Sequence, residues 1–243
     1  MDWSDDGIVL SARKHGESAA VVVLLTEAHG RHAGLVRGGA GRAQRGVFQP
    51  GNLVRAHWRA RLEEHLGNYR CEPVRAVAAG VLDDPRGLAA LSAACAVLEA
   101  ALPEREVHAR VYADTLALLD AMGTPDLGAA YVRWELALLA DLGFGLDLTR
   151  CAATGSADDL IYVSPHSGRA VSAEAGAPYK DKLLPLPSFL IAAAPAGPAE
   201  IASGLVLAGH FLAAHVLAPH GRVLPAARLR LLDWLGRTVS PVS

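Results

Sequence analysis

Seven arginines, Arg31, Arg37, Arg42, Arg45, Arg55, Arg59 and Arg61, stand between Glu27 and Glu63 with no acid among them. A guanidinium is always charged, and its planar fork of N–H donors fits the oxygens of a phosphate. The density matters because the chain as a whole carries a formal charge of −2. Residues 1–80 hold 11 Lys+Arg against 8 Asp+Glu, whereas residues 81–243 hold 12 against 17. A basic stripe on an otherwise acidic chain points to a polyanion, and phosphate backbone is the commonest. Each neutralised phosphate releases condensed counterions. Arginine on an exposed edge strand also discourages aggregation, but edge protection does not call for the arginines of a loop.

Other chemistries find less support. The stretch Gly38 to Gly46 is rich in glycine but lacks the lysine–hydroxyl pair of a nucleotide-binding P-loop. It also fails the dinucleotide fingerprint, with Gln44 where the third glycine belongs. It reads as a loop whose backbone approaches phosphates while Arg42 and Arg45 neutralise them. His210 and His215 are five apart and diverge around an α-helix, so they share no ligand face. His29 and His32 fall in a turn and suit a surface role. Ser4, Ser164 and Ser167 lack the G-x-S-x-G context of an exposed nucleophile. Cys151 has no partner base in the sequence, and Asp158-Asp159 reads as a solvated turn. The three cysteines, Cys71, Cys95 and Cys151, form neither a CxxC pair nor a disulfide framework, which suits reduced thiols in a cytosol. No catalytic constellation emerges.

The elements that must position the arginines come first in the chain. Gly7–Leu10, Ala19–Leu25, Leu35-Val36, Asn52–Arg61 and Tyr69–Val77 read as short strands with turn signals between them, a small barrel or sandwich. Within Asn52–Arg61, Leu53, Arg55, His57, Arg59 and Arg61 alternate with Val54, Ala56, Trp58 and Ala60. Alternation puts these arginines on one face and Trp58 on the other, so Trp58 is expected in the core. Tyr69 is left as a core or base-stacking residue.

After a break at Leu82–Pro85 the pattern turns helical, with Asp84 as N-cap and Pro85 at the first helical position. Further helices are expected over Glu104–Ala121 and Asp126–Leu142, the latter stopped by Gly143. Residues 149–187 form a turn-rich insert with a short apolar piece, Leu160–Val163. Helices over Ala199–Leu217 and Ala226–Leu235 follow, the last ended by Gly236. The fold class is α+β, with domains at 1–80 and 81–243 and the insert at 149–187 inside the second. Ile201 to Pro219 carries no charge and has the length of a membrane span. Its Ser203, His210, His215 and glycines favour a buried helix of a soluble domain. The acidic N-terminus, Met1 to Asp6, does not resemble a secretory signal.

The order and spacing of several segments resemble the bacterial RecO family of DNA repair proteins, which are recombination mediators. The likeness rests on Trp3–Leu10 with Gly16–Ala19 and on Arg37-Gly38-Gly39 through Gln49-Pro50-Gly51. It continues in Arg133–Leu139 with Leu142-Gly143-Phe144, and in Cys151–Gly155 with Tyr162–Pro165. It implies an N-terminal OB-fold β-barrel, a helical domain and a zinc-ribbon-like insert. It further implies binding and annealing of single- and double-stranded DNA and docking of the C-terminal tail of the single-stranded DNA-binding protein. Work with RecR to load RecA is part of the same expectation, as is a cytoplasmic, nucleoid-associated location without ATP hydrolysis.

The basic stripe makes Arg37, Arg42, Arg45, Arg55, Arg59 and Arg61 the expected DNA contacts, and the likeness to the family makes Arg133 the expected tail contact. Where zinc-binding relatives carry four cysteines, this chain has Cys151, Thr154, Ser172 and Ala175. One thiol cannot form a closed four-ligand site, so no metal or other cofactor is expected. The insert would be held by Leu160, Tyr162 and Val171. The rival reading is a helical adapter that binds only proteins, its arginines serving an acidic partner. An enzyme whose site assembles only in three dimensions is the third.

Overall fold

The computed structural model describes residues 1–192 and 194–237. Residues 193 and 238–243, part of the expected helical domain, lie outside the described residues. Five strands open the chain: β1 (Asp2–His15), β2 (Ala19–Thr26), β3 (Gly30–Val36), β4 (Leu53–Arg59) and β5 (Asn68–Arg75). They close into a barrel in the order β1-β2-β3-β5-β4, with β4 pairing back onto β1. The pairings are antiparallel except β3 to β5, a single parallel match of Leu35 with Asn68. The expected OB-fold is therefore present.

Alternation builds the barrel interior. Val9, Val22, Leu24, Val54, Ala56, Trp58 and Tyr69 pack into one buried cluster, with Trp3 half-buried against it. Ile8, Val23 and Leu25 are equally buried but lie outside that cluster. The helix α3 (Pro85–Ala101) covers β1, where the Cys95 thiol reaches the Val9 carbonyl at 3.6 Å. Trp58 is in the core, as its strand position implied, and its indole N–H donates to the Leu66 carbonyl at 3.0 Å. Tyr69 is also core, not a stacking platform: it is 5% exposed and its hydroxyl meets His32 Nδ1 at 3.0 Å.

His32 was expected on a turn surface, yet it is 3% exposed inside β3. Burial, reinforced by the Arg105 charge, lowers its pKa from 6.5 to about 4. The folded chain thus keeps His32 neutral where an unfolded chain would protonate it. Stability is fully present above about pH 6.5 and is lost as pH falls toward about 4. The loss is on the order of 3 kcal/mol across that window. Urea midpoints measured against pH should show this slope, and His32→Gln should flatten it; an unchanged slope would place the titration on another group.

A short turn, α1 (Arg42–Arg45), lies in the loop between β3 and β4, and another, α2 (Val77–Gly80), follows the barrel. Helix α3 starts where expected, with the Asp84 side chain accepting from the Arg86 N–H at 3.0 Å. Helix α4 (Ala109–Asp120) starts five residues later than the expected Glu104. The preceding segment is held in a non-helical form: Arg105 has φ 60° and its N–H donates to the Arg31 carbonyl at 2.8 Å.

Met1–Gly123 with Pro225–Arg228 form one compact unit, and Thr124–Leu224 with the described residues 229–237 form another. In the second, α5 (Leu127–Asp141) packs on α7 (Pro198–Phe211). The approach is close: a side chain at Gly204 would stand 2.8 Å from Val132, and one at Gly128 2.8 Å from Ile201. Leu205, Leu207, Ala208 and Leu212 are fully buried. The helical stretch Pro198–His220 is apolar and long enough to cross a membrane, but half of it is buried in the protein. Its apolar sequence thus serves internal packing.

After α7 the chain winds as a π-helix over Leu212–Leu217. The α-helical geometry assumed for His210 and His215 does not hold there. They nevertheless serve different contacts: His210 Nε2 meets the Pro165 carbonyl at 3.3 Å, and His215 stacks on Phe144 and Phe211. The last helix, α8 (Ala226–Arg237), runs through Gly236 instead of ending there.

The insert contains β6 (Leu160–Val163), β7 (Ala170–Ser172), the turn α6 (Ala173–Gly176) and β8 (Leu184–Pro185). Its three strands pair in the order β7-β6-β8. Leu160 and Val171 are buried and Tyr162 is half-buried. Val163, Ala170 and Cys151, each 0% exposed, complete the packing.

Candidate nucleic-acid interface

The loop between β3 and β4 carries Arg37, Arg42 and Arg45, and the fold pins it at several points. Phe48, 4% exposed, drops into the barrel core. Asn52, also buried, donates from its side-chain amide to the Gly46 and Val47 carbonyls at 2.8 and 3.2 Å. The Gln49 amide donates to the Arg45 carbonyl at 3.0 Å. The Ala40 N–H donates to the Ser18 carbonyl at 3.0 Å, which ties the loop to the β1–β2 turn. The three arginines are thus exposed on an anchored backbone, and none makes an ion pair among the described residues.

That tie creates a groove of about 730 Å³ between the loop and the far end of β1. Arg13, Lys14 and Arg45 line it, with Phe48 and the Gly39-Ala40 backbone, and Glu17 is the acid among its lining residues. Arg13 is partly committed, its guanidinium 2.6 Å from Glu99 of α3. Lys14 and Arg45 face the groove without an ion pair among the described residues. Sequence reading missed Arg13 and Lys14 because they lie outside the acid-free stretch. Only barrel closure brings them to the loop.

The arginines of β4 stand elsewhere. Arg55 and Arg59 are exposed on the outer face, as alternation implied, and Arg61 lies past the end of the strand. Across the sheet, Asp6, Arg55 and Glu72 form one row, and Asp2, Arg59 and Asn68 another. Two Arg55 nitrogens sit 2.6 and 2.8 Å from the two Asp6 carboxylate oxygens, so that charge is already neutralised. Arg31 is committed too: its Nε donates to the Leu102 carbonyl at 2.8 Å and its Nη1 lies 3.4 Å from Glu104. The six expected contact residues therefore divide into a loop group, Arg37, Arg42 and Arg45, and a β4 group, Arg55, Arg59 and Arg61. Arg133, on α5, donates to the Phe189 carbonyl at 3.0 Å and lies 5.3 Å from the centre of its ring.

The comparisons follow this architecture. The family model described as "Recombination protein O N terminal" matches residues 1–77, and "Recombination protein O C terminal" matches residues 82–223. The chain belongs to the RecO family. A "DNA repair protein RecO" from Rhodospirillum rubrum is 56% identical to it, covering 98% of this chain and 97% of the relative. One from Rhodospirillum centenum is also 56% identical, over 96% and 94% of the two chains. A third, from Phenylobacterium zucineum, is 53% identical over 97% and 98%.

The expectation of a zinc-ribbon-like insert makes its donor set worth testing against a metal. Cys151 Sγ is buried and accepts hydrogen bonds from the Ser172 N–H at 3.3 Å and the Ser172 hydroxyl at 3.4 Å. Bonds from Ser172 and Thr154 lower the thiol's pKa to about 6, against burial, which raises it. Thr154 and Ser172 thus spend their hydroxyls on the sulfur, and Ala175 offers no donor atom. One thiolate with two neutral hydroxyls does not fit the thiolate- and imidazole-rich set that structural zinc requires. We therefore expect metal analysis of the purified chain to find no stoichiometric zinc, and chelator to leave its melting temperature unchanged. Zinc near one per chain would overturn this. Cys151→Ala should cost about 1–3 kcal/mol, because the buried Ser172 donors lose their acceptor.

Proposed function

We propose that this chain is a DNA-binding recombination mediator in DNA repair that grips sugar-phosphate chains and performs no covalent chemistry of its own. The observation that carries the reading is the anchored loop. Arg37, Arg42 and Arg45 are exposed and unpaired among the described residues, and Lys14 lines the same groove as Arg45. Donors on a fixed backbone lose little entropy when they meet phosphates, and their charge makes the affinity steep in salt. The relatives' name, DNA repair protein RecO, agrees with this use.

On this reading a cationic barrel screens two strands from each other and lets base pairing proceed, which is annealing. The same reading gives the chain RecR as a partner in loading RecA and strand coated with single-stranded DNA-binding protein as its substrate. That protein's acidic, apolar C-terminal tail would meet Arg133, which the Phe189 ring and carbonyl hold in one orientation. The working place would be the cytoplasm, at the nucleoid. The test is a titration of labelled single strand at two salt concentrations. Tight binding that weakens steeply with salt supports the reading. A chain that serves only proteins would give no binding at either concentration.

A further inference from the structure

We propose that the barrel holds two nucleic-acid strands at once, one in the loop groove and a second in a separate groove at the opposite end of β1. The inference rests on the reading of the chain as a DNA binder and adds a subsite to it. The second groove, about 540 Å³, is formed by the start of β1, the end of β4 and the start of β5. Its wall is polar, made by the outward rows Ser4, His57 and Arg70 and Asp2, Arg59 and Asn68. Trp3, Trp58 and Tyr69, register partners across the three strands, close it from behind: Trp58 and Tyr69 are core, and Trp3 is half-buried with its ring stacked on His29 at 4.0 Å. Its rim carries Arg59 and Arg70, both exposed and without an ion pair among the described residues.

The chemistry suits a sugar-phosphate chain. The guanidinium groups of Arg59 and Arg70 meet phosphates without regard to sequence. Ser4, His57 and Asn68 add hydrogen-bonding groups along the same wall, Ser4 Oγ and His57 Nδ1 being 2.6 Å apart. Asp2 is the acid among the lining residues, and it stands in register with Arg59, which leaves Arg70 clear of it.

Geometry separates the two sites. Trp3 lines one groove and Arg13 the other, ten residues apart on β1. At about 3.3 Å per residue that is about 30 Å along the strand. The pairing register shifts between Val9 and Ser11, midway between the grooves, which re-aims the far end of β1. The row Asp6, Arg55 and Glu72 lies along the sheet inward of the second groove and carries a net negative charge. A strand in that groove is therefore not continued across the β4 face toward the loop. The pinned loop and the Arg59–Arg70 groove are thus independent cradles on one barrel.

Energy transfer between two strands tests this. Oligothymidylates of about 15 nucleotides, within the span of one such barrel, are labelled with donor or acceptor and mixed with limiting full-length chain, so that both sites of each particle fill. Because the strands cannot pair, transfer above the level of free strands requires both on one particle. Wild type should show it. Arg59→Glu with Arg70→Glu should lose the transfer while still binding one strand, and Arg42→Glu with Arg45→Glu should do the same. All four positions are exposed, so melting temperatures should stay at the wild-type value. Transfer by R59E/R70E equal to wild type would overturn the proposal, since it would mean that bridging comes from paired copies of the loop groove. A wild-type chain that binds one strand and gives no transfer would overturn it alone. A wild-type chain that binds no strand would overturn the DNA-binding reading as well.

Discussion

Trp58→Ala is expected to remove about 3–5 kcal/mol of folding stability, a large fraction of what a domain of this kind possesses. Trp58 is 2% exposed and sits where β4 meets both β1 and β5, opposite Trp3 and Tyr69 in the register. Truncation leaves a cavity in the middle of the aromatic layer, whose neighbours are too constrained to fill it. Trp3 is stacked between contacts with Trp58 and His29, and Tyr69 is fixed by His32. Tyr69 also lies hard against Gly34, where an added side chain would stand 2.3 Å from its ring. The truncation further removes the indole donor from the Leu66 carbonyl, which fixes the end of the β4–β5 connection. Equilibrium urea unfolding measures the effect, read as a lower midpoint at unchanged slope. Trp58→Phe keeps most of the ring and should cost clearly less. A W58A midpoint within error of wild type would mean that the barrel is not held by this layer.

The barrel was legible where apolar residues alternate and illegible where other residue types fill buried positions. Ala19–Leu25 and the Trp58 strand announce themselves by period two. In β3 the inward positions are Gly30, His32, Gly34 and Val36. Three of the four read as turn or polar residues, so the sequence suggested only Leu35-Val36. The start of β1 was hidden in the same way, since Asp2, Ser4 and Asp6 point outward around Trp3. The arginine stripe was visible as a count but not as a surface. Partners of Arg31 and Arg55 come from Leu102, Glu104 and Asp6, which are remote in sequence from at least one of the two, and no local pattern reveals them. Lys14 was missed for the converse reason: it becomes part of the groove only when the Ala40 N–H meets the Ser18 carbonyl. Helix α3 was readable to the residue at its start because a cap is a local device. The late start of α4 was not, because the segment before it is held by Arg31 from β3.

The unequal standing of the arginines gives the sharpest expectation for binding. Arg37→Glu, Arg42→Glu and Arg45→Glu combined remove three unpaired cations from one anchored loop. The slope of log affinity against log salt should fall by about two units on a single strand and by nearer three on duplex, from about 0.7 and 0.9 per phosphate. Affinity at low salt should fall with it, because the introduced carboxylates repel the backbone they replace contacts to. Arg55→Glu is the contrasting case. Its guanidinium already neutralises Asp6 at 2.6 Å, so the wild-type residue has little charge to offer a phosphate. Reversing it should change the slope by less than one unit, even though it sits at the centre of the arginine stripe in the sequence. Fluorescence anisotropy with a labelled strand across a salt series reads both. A triple variant that keeps the wild-type slope would take the loop out of the interface. A slope lost equally in R55E would mean that the Asp6 pair opens on binding and that the β4 face, not the loop, meets the first strand.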